Sequence, residues 1–280
     1  MKEIHVDRII ESVEKLCVKA NYLLNEDIRK ALSAAMNNEK SENGRMVLEN
    51  LLKNAEIAKN EKVAMCQDTG MAVVFIEIGQ NVHVTGGNIT DAVNEGVRRG
   101  YKKGFLRYSV VKHPLNRVNT GDNTPAVIHT EIVEGDKLKI EVAPKGFGSE
   151  NMSAVAMLKP SDGVDGVKEF VVKTVSDAGS NPCPPVIVGV GIGGTMEKAA
   201  MMAKRALLRQ VGLYSEDRDM AELEKEIMER INRLGIGPAG FGGSTTALAV
   251  NIECYPTHIA GLPVAVNIGC HATRHSSVIL

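Results

Sequence analysis

Hydrophobic periodicity changes once along this chain of 280 residues, near residue 60, and that change limits the fold more than any other feature. Before it, Ile9, Ile10, Val13, Leu16, Cys17, Ala20, Leu23 and Leu24 recur at steps of three and four, the stripe of an amphipathic helix. The pattern predicts a second helix after Asn25, with Glu26 and Asp27 in its positive first turn, and a third after Ser41. After it, residues 63–65 and 71–78 are apolar and β-branched, separated by Cys66-Gln67-Asp68-Thr69-Gly70. Thr90 can cap a helix that stops at Gly104. Residues 126–133 and 137–142 flank Glu134-Gly135-Asp136 and read as a half-exposed antiparallel hairpin. A helix near 163–177, an apolar strand over 184–194, helices over 195–212 and 220–235, and strands over 246–254 and 262–270 complete the pattern. With no repeat and no long linker, we expect an α+β fold in a single domain over 1–280. Its helical portion, about 1–60, would pack on a mixed sheet-and-helix body.

Composition excludes several classes. Lys and Arg number 33 against 34 Asp and Glu, a net charge of −1, whereas a binder of nucleic-acid phosphates needs a basic excess. No window approaches the roughly 18 apolar residues of a membrane span. The N-terminus is charged from Lys2 and has no signal-peptide core, so a cytoplasmic location is expected. Five cysteines in 280 residues are too sparse for a disulfide scaffold.

The cysteines divide by context. Cys17 lies on the first helical stripe, and Cys254 shares strand parity with Leu248, Val250 and Ile252, so both are expected in the core. Cys66, Cys183 and Cys270 instead lie on loops next to stiff structure, where functional residues concentrate. No Cys-x-x-Cys pair exists, which removes zinc-ribbon and ferredoxin spacings. Three thiolates on a 4Fe–4S cluster would leave one iron open to act as a Lewis acid. A zinc site from Cys270, His271 and His275 is the rival, weakened because His271-x-x-x-His275 lacks the Glu of the zinc-hydrolase helix. Gly189, Gly191 and Gly194 match a dinucleotide fingerprint, but no second strand with its terminal acid follows. A tight strand–helix turn is expected there, with an anion on its amides as the milder functional alternative.

Six motifs stand in one order: Cys66-Gln67-Asp68-Thr69-Gly70, Asn119 to Pro125 (NTGDNTP), Gly148-Ser149-Glu150-Asn151, Asn181-Pro182-Cys183-Pro184-Pro185, Tyr255-Pro256-Thr257-His258, and Cys270 to His275 (CHATRH). Together they resemble the alpha subunit, or N-terminal half, of class I (iron–sulfur) fumarate hydratase, from about residue 5 onward. The sister family, the tartrate dehydratase alpha subunit, shares the CQDTG and CPP elements. It differs around NTGDNTP, GSEN and YPTH, where this chain is fumarase-like. The resemblance implies that Cys66, Cys183 and Cys270 hold a 4Fe–4S cluster. It implies that Gln67 and Asp68 face the substrate, with Asp68 transferring a proton. It places His258 and Arg107 at a dicarboxylate and has the Gly146–Gly148 loop, Gly148 included, supply backbone contacts. Reversible hydration of fumarate to (S)-malate is the implied activity. Dehydration of tartrate or another hydroxy-diacid is the first alternative, and a zinc-binding or non-enzymatic protein on this scaffold the second. The family's remaining catalytic residues come from a C-terminal half, so a separate beta subunit and an α2β2 assembly are expected. The residues alone also allow Asp68 to cap its own turn, His258 to be a surface loop residue and Glu150 to orient the glycine loop. They equally allow His271, Arg274 and His275 to tune the cluster from behind its ligands.

Overall fold

The computed structural model describes residues 1–280. In chain order the elements are β1 (Lys2–His5), α1 (Val6–Tyr22), α2 (Glu26–Asn38), α3 (Glu42–Glu61), β2 (Met71–Gly79), β3 (Val82–Thr85) and α4 (Ile89–Lys103). There follow β4 (Val127–Val133), β5 (Leu138–Lys145), α5 (Phe147–Glu150), β6 (Ala154–Leu158), α6 (Gly163–Ala178), β7 (Val186–Gly193) and α7 (Met196–Ala206). The last are α8 (Arg218–Arg233), β8 (Ala247–Tyr255), β9 (Leu262–Gly269) and β10 (Ser276–Ile279). The class is α+β, as the periodicity predicts. No helix is long and apolar enough to cross a membrane.

The chain forms two compact units built from interleaved segments. Unit 1 comprises residues 1–24, 54–147 and 274–280, and unit 2 comprises 25–53 and 148–273. No single boundary shows in the sequence because the chain passes between the units at four points, one of them inside α3.

In unit 1 a four-stranded sheet has the order β10-β5-β2-β4, and β1 pairs in parallel with β3. The predicted stripe of α1 is buried through Ile9, Val13, Leu16, Cys17 and Ala20. Against it lies α4, whose Gly96 and Gly100 leave no room for a Cβ beside Val13 and Cys17, so the two helices touch almost backbone to backbone. Asn88, not Thr90, caps α4: its Oδ1 accepts from Thr90 N at 2.8 Å and Asp91 N at 3.3 Å. The expected hairpin over 126–142 does not form. β4 pairs in parallel with β2, β5 pairs antiparallel with the other edge of β2, and the two never meet. Alternation identifies a strand and its buried face but not its neighbour. As an inner strand β5 is also more buried than expected: even Glu141 is 9 % exposed, and it bonds His275 Nδ1 at 2.8 Å. Residues 63–65 form part of a loop, not a strand.

In unit 2 the sheet order is β6-β9-β7-β8, with β7 and β8 parallel. α6 and α8 cover one face through Val167, Val171, Val175, Leu223, Ile227 and Ile231. On Ala265 of β9 sit Ala199 and Ala203 of α7. A Cβ on Gly189 or Gly191 would lie 2.0 Å from Ala203 O or 2.1 Å from Ala199 O. The nucleotide-like glycines therefore serve close strand–helix packing.

Glu39, between α2 and α3, is 1 % exposed. Its carboxylate accepts from Ser41 N at 3.1 Å, Ser244 N at 2.8 Å, Ser244 Oγ at 3.0 Å and Thr245 N at 2.9 Å. Burial pushes this carboxyl up, but the Ser244, Ser41 and Thr245 bonds outweigh it and hold it at about 2. A carboxyl depressed in the native state contributes stability above its unfolded value, 4.5, and loses it as pH falls toward 2. Glu39→Gln is expected to flatten the fall in stability between about pH 5 and 2 by at most ~3 kcal/mol, read from urea midpoints across that range. Separately, Gly191→Ala should cost about 1–3 kcal/mol in the same assay at neutral pH.

Candidate active site

The CQDTG motif lies on a loop of unit 1 clamped along its main chain. Asn54 Nδ2 donates to Met65 O at 2.8 Å, and Met65 N donates to Asn21 O at 3.0 Å. Arg274, 3 % exposed, donates from Nη2 to Asp68 O at 2.6 Å and from Nε to Asn21 Oδ1 at 3.2 Å. Tyr101, fully buried on α4, donates its hydroxyl to Thr69 O at 2.9 Å and Gly70 O at 3.0 Å. Burial pushes the Tyr101 hydroxyl up, so it stays a neutral donor. Asn123 of the NTGDNTP motif adds Nδ2 to Gly70 O at 3.2 Å. This fully buried residue holds φ at +62°, and its Oδ1 accepts from Ser109 N at 2.6 Å.

The clamps fix what the loop presents. Asp68 does cap its own turn, Oδ1 accepting from Gly70 N at 3.1 Å, while Oδ2 accepts from Phe147 N at 2.9 Å. Gly146 is required beside it, since a Cβ there would stand 3.1 Å from Asp68 Oδ2. Thr69 Oγ1 accepts from Arg107 N at 2.9 Å and donates to Arg107 O at 3.2 Å, so the exposed Arg107 is anchored by its backbone. Cys66 is half-buried, and its Sγ donates to Gln67 Oε1 at 3.5 Å. Unit 1 thus brings Cys66, Gln67, Asp68 and Arg107 onto one braced segment.

Unit 2 brings Cys183 and Cys270 to one rim of its sheet. The antiparallel register sets Ile187, near the start of β7, against Gly269 at the end of β9, so the loops carrying the two cysteines emerge side by side. His271 joins them: its main-chain N donates to Cys183 O at 3.3 Å and its Nδ1 lies 3.0 Å from the same oxygen. Cys183, exposed, holds φ at +54° in a turn closed by Cys183 N donating to Ser180 O at 3.0 Å. Cys270 O is held by Thr273 N at 2.9 Å and Thr273 Oγ1 at 2.8 Å. Gly148 belongs to this rim, its Cβ position 3.6 Å from Asn181 O.

His258 does not. It lies exposed beyond the start of β9, while Cys270 follows its end, about 23 Å of extended strand away. Its neighbour Thr257 bonds Gly194 O at 2.8 Å, beside the far end of β7. Nowhere do three or more His, Cys, Asp or Glu side chains gather closely enough to hold a single metal ion. Among the remaining cysteines, Cys17 is buried as expected, and burial pushes its thiol up to about 12. Cys254 is exposed, contrary to expectation, because β8 runs past the end of its cover there. Packing of its sulfur, with Met220 Sδ at 3.3 Å, and then Asp217, Glu253 and Glu224 push that thiol up to about 11.

A family model described as fumarate hydratase (Fumerase) matches residues 10–279. The chain belongs to that family. It is 45% identical over 276 residues to a Methanocaldococcus jannaschii protein provisionally named an L(+)-tartrate dehydratase alpha subunit, with 96% of each chain covered. To the L(+)-tartrate dehydratase alpha subunit of Escherichia coli O157:H7 it is 32% identical over 283 residues, covering 100% of this chain and 93% of the other. Membership makes the chain one of the hydro-lyases. The family's motifs mark the loops, whereas the clamps Asn21, Asn54 and Tyr101 lie outside them. The signal available for Asn21 is a polar residue continuing the buried stripe of α1. Tyr101→Phe leaves Thr69 O with a lost donor in a buried setting and should cost about 1–3 kcal/mol, read from the denaturant midpoint at constant slope.

Proposed function

We propose that the chain is the alpha subunit of a two-chain hydro-lyase that reversibly hydrates fumarate to (S)-malate, a beta chain completing the site in an α2β2 assembly. The observation that best supports this is the rim of unit 2, where Cys183 and Cys270 are bonded side by side through His271. Cys66 of unit 1 would complete a donor set of thiols alone, each reachable from solvent, which suits an iron–sulfur cluster better than a hard cation. Cys66, Cys183 and Cys270 would hold a 4Fe–4S group, which when bound supplies Lewis acidity toward a substrate oxygen.

The remaining work falls to the chain itself. Fumarate is a small dianion, and Arg107 offers one carboxylate a bidentate fork on an anchored backbone. The Gln67 amide and the Gly148 main chain add polar contacts that orient the diacid. Asp68, aimed by Gly70 N and Phe147 N, holds and transfers a proton at its carboxylate. His258, the other catalytic candidate, lies exposed at the opposite end of β9 from Cys270 and would act with the acid–base groups of the assembled complex. The beta chain supplies the base. A second reading, elimination of water from L(+)-tartrate, is favoured by the names of the relatives.

The test is anaerobic assembly with the beta chain, assayed on (S)-malate and L(+)-tartrate. Malate turnover with about four irons and four sulfides per alpha chain is expected. Turnover of tartrate alone would replace the first reading by the second, and activity on neither by the cluster-loaded complex would overturn both. Cys66→Ser, Cys183→Ser and Cys270→Ser should each abolish iron binding, while Cys254→Ser keeps it.

A further inference from the structure

Lys204, in the last turn of α7, belongs to none of the motifs, yet its Nζ forms an ion pair with Glu150 Oε1 of the Gly148-Ser149-Glu150-Asn151 segment. The other carboxylate oxygen, Glu150 Oε2, accepts from Asn267 Nδ2 at 3.0 Å. Both ionic side chains are largely screened from water, at 19% and 25% exposure, so this pair is more than a solvated surface contact. Asn267 is 6 % exposed on β9, and its Oδ1 has no hydrogen-bond partner, so this buried amide spends its bonding on Glu150.

The three anchors point in useful directions. Asn267 lies near the end of β9, three residues before Cys270, which follows the strand. Gly148 packs on Asn181 O, two residues before Cys183. Ser153 Oγ, which accepts from Ile268 N at 3.1 Å, donates to Ser149 O at 3.5 Å and so ties the segment to β9 a second time. Lys204 itself stands on a helix held at near-contact distance to β7 by Gly189 and Gly191. Glu150 is therefore the point where the Gly148 main chain is registered against both cysteine loops of unit 2.

We propose that Lys204 is a positioning residue that, through Glu150, fixes the Gly148 main chain relative to the rim carrying Cys183 and Cys270, and so sets affinity for the dicarboxylate. This rests on the reading above that Gly148 contacts the substrate. A misplaced main-chain contact weakens binding before it weakens proton transfer, so the loss should fall on KM.

The experiment has two arms. In the assembled complex, Lys204→Met and Glu150→Gln should raise KM for the diacid by about tenfold with kcat within about threefold, and Lys204→Arg should restore KM. In the cluster-free alpha chain, hydrogen exchange over residues 147–153 should quicken in the same two variants, be restored by Lys204→Arg, and stay unchanged over α8. Lys173→Met, which removes an exposed pair with Asp177, is the control and should move neither readout. An unchanged KM, or exchange that quickens throughout unit 2, would overturn the proposal. A wild-type complex that turns over no diacid sinks the functional reading instead, and the exchange arm then decides the tether alone.

Discussion

Three consecutive main-chain carbonyls, those of Asp68, Thr69 and Gly70, are the groups on which the rest of unit 1 depends. Each accepts from a buried side chain: Arg274 on the first, Tyr101 on the second, Tyr101 and Asn123 on the third. Buried carbonyls demand partners, and here the partners are drawn from α4, the NTGDNTP loop and the segment after Thr273. The loop is thereby tied through its main chain to the helix beside it. Its side chains, Cys66, Gln67 and Asp68, share that bracing, and Asp68 adds to it by accepting from Gly70 N and Phe147 N.

Unit 2 reaches precision by a different route. Its cysteine loops are set by strand register, because the start of β7 lies against the end of β9. Its glycines remove side chains where α7 meets β7, so the spacing there is limited by main-chain atoms. Hydrogen bonds then refine a geometry that packing has already narrowed. Glu39 and Glu150 illustrate this, each collecting several donors around one carboxylate.

Legibility from sequence followed the range of each interaction. The stripe of α1, the starts of α2 and α3 and the apolar β7 are local signals, and they read correctly. Partner choice is not local: β4 and β5 adjoin in sequence, yet β2 lies between them. Cys254 had the parity of a core residue, but parity does not show where a strand outruns its cover. The same limit applied to the site. Loop cysteines announced themselves through their flanking prolines, glycines and turn residues, while Arg274 and Tyr101 act across distances no window spans. His258 stood twelve residues before Cys270 in sequence, and only the extended path of β9 between them reveals how far apart they are.

The interleaving of the two units sets an order of completion. Unit 1 opens the chain, yet its edge strand β10 and its clamp Arg274 belong to residues 274–280, which follow all of unit 2. The Cys66 loop therefore lacks one of its braces until residues 274–280 have been made. Cys66, though early in the sequence, is thus fully braced only when a segment more than 200 residues later is in place.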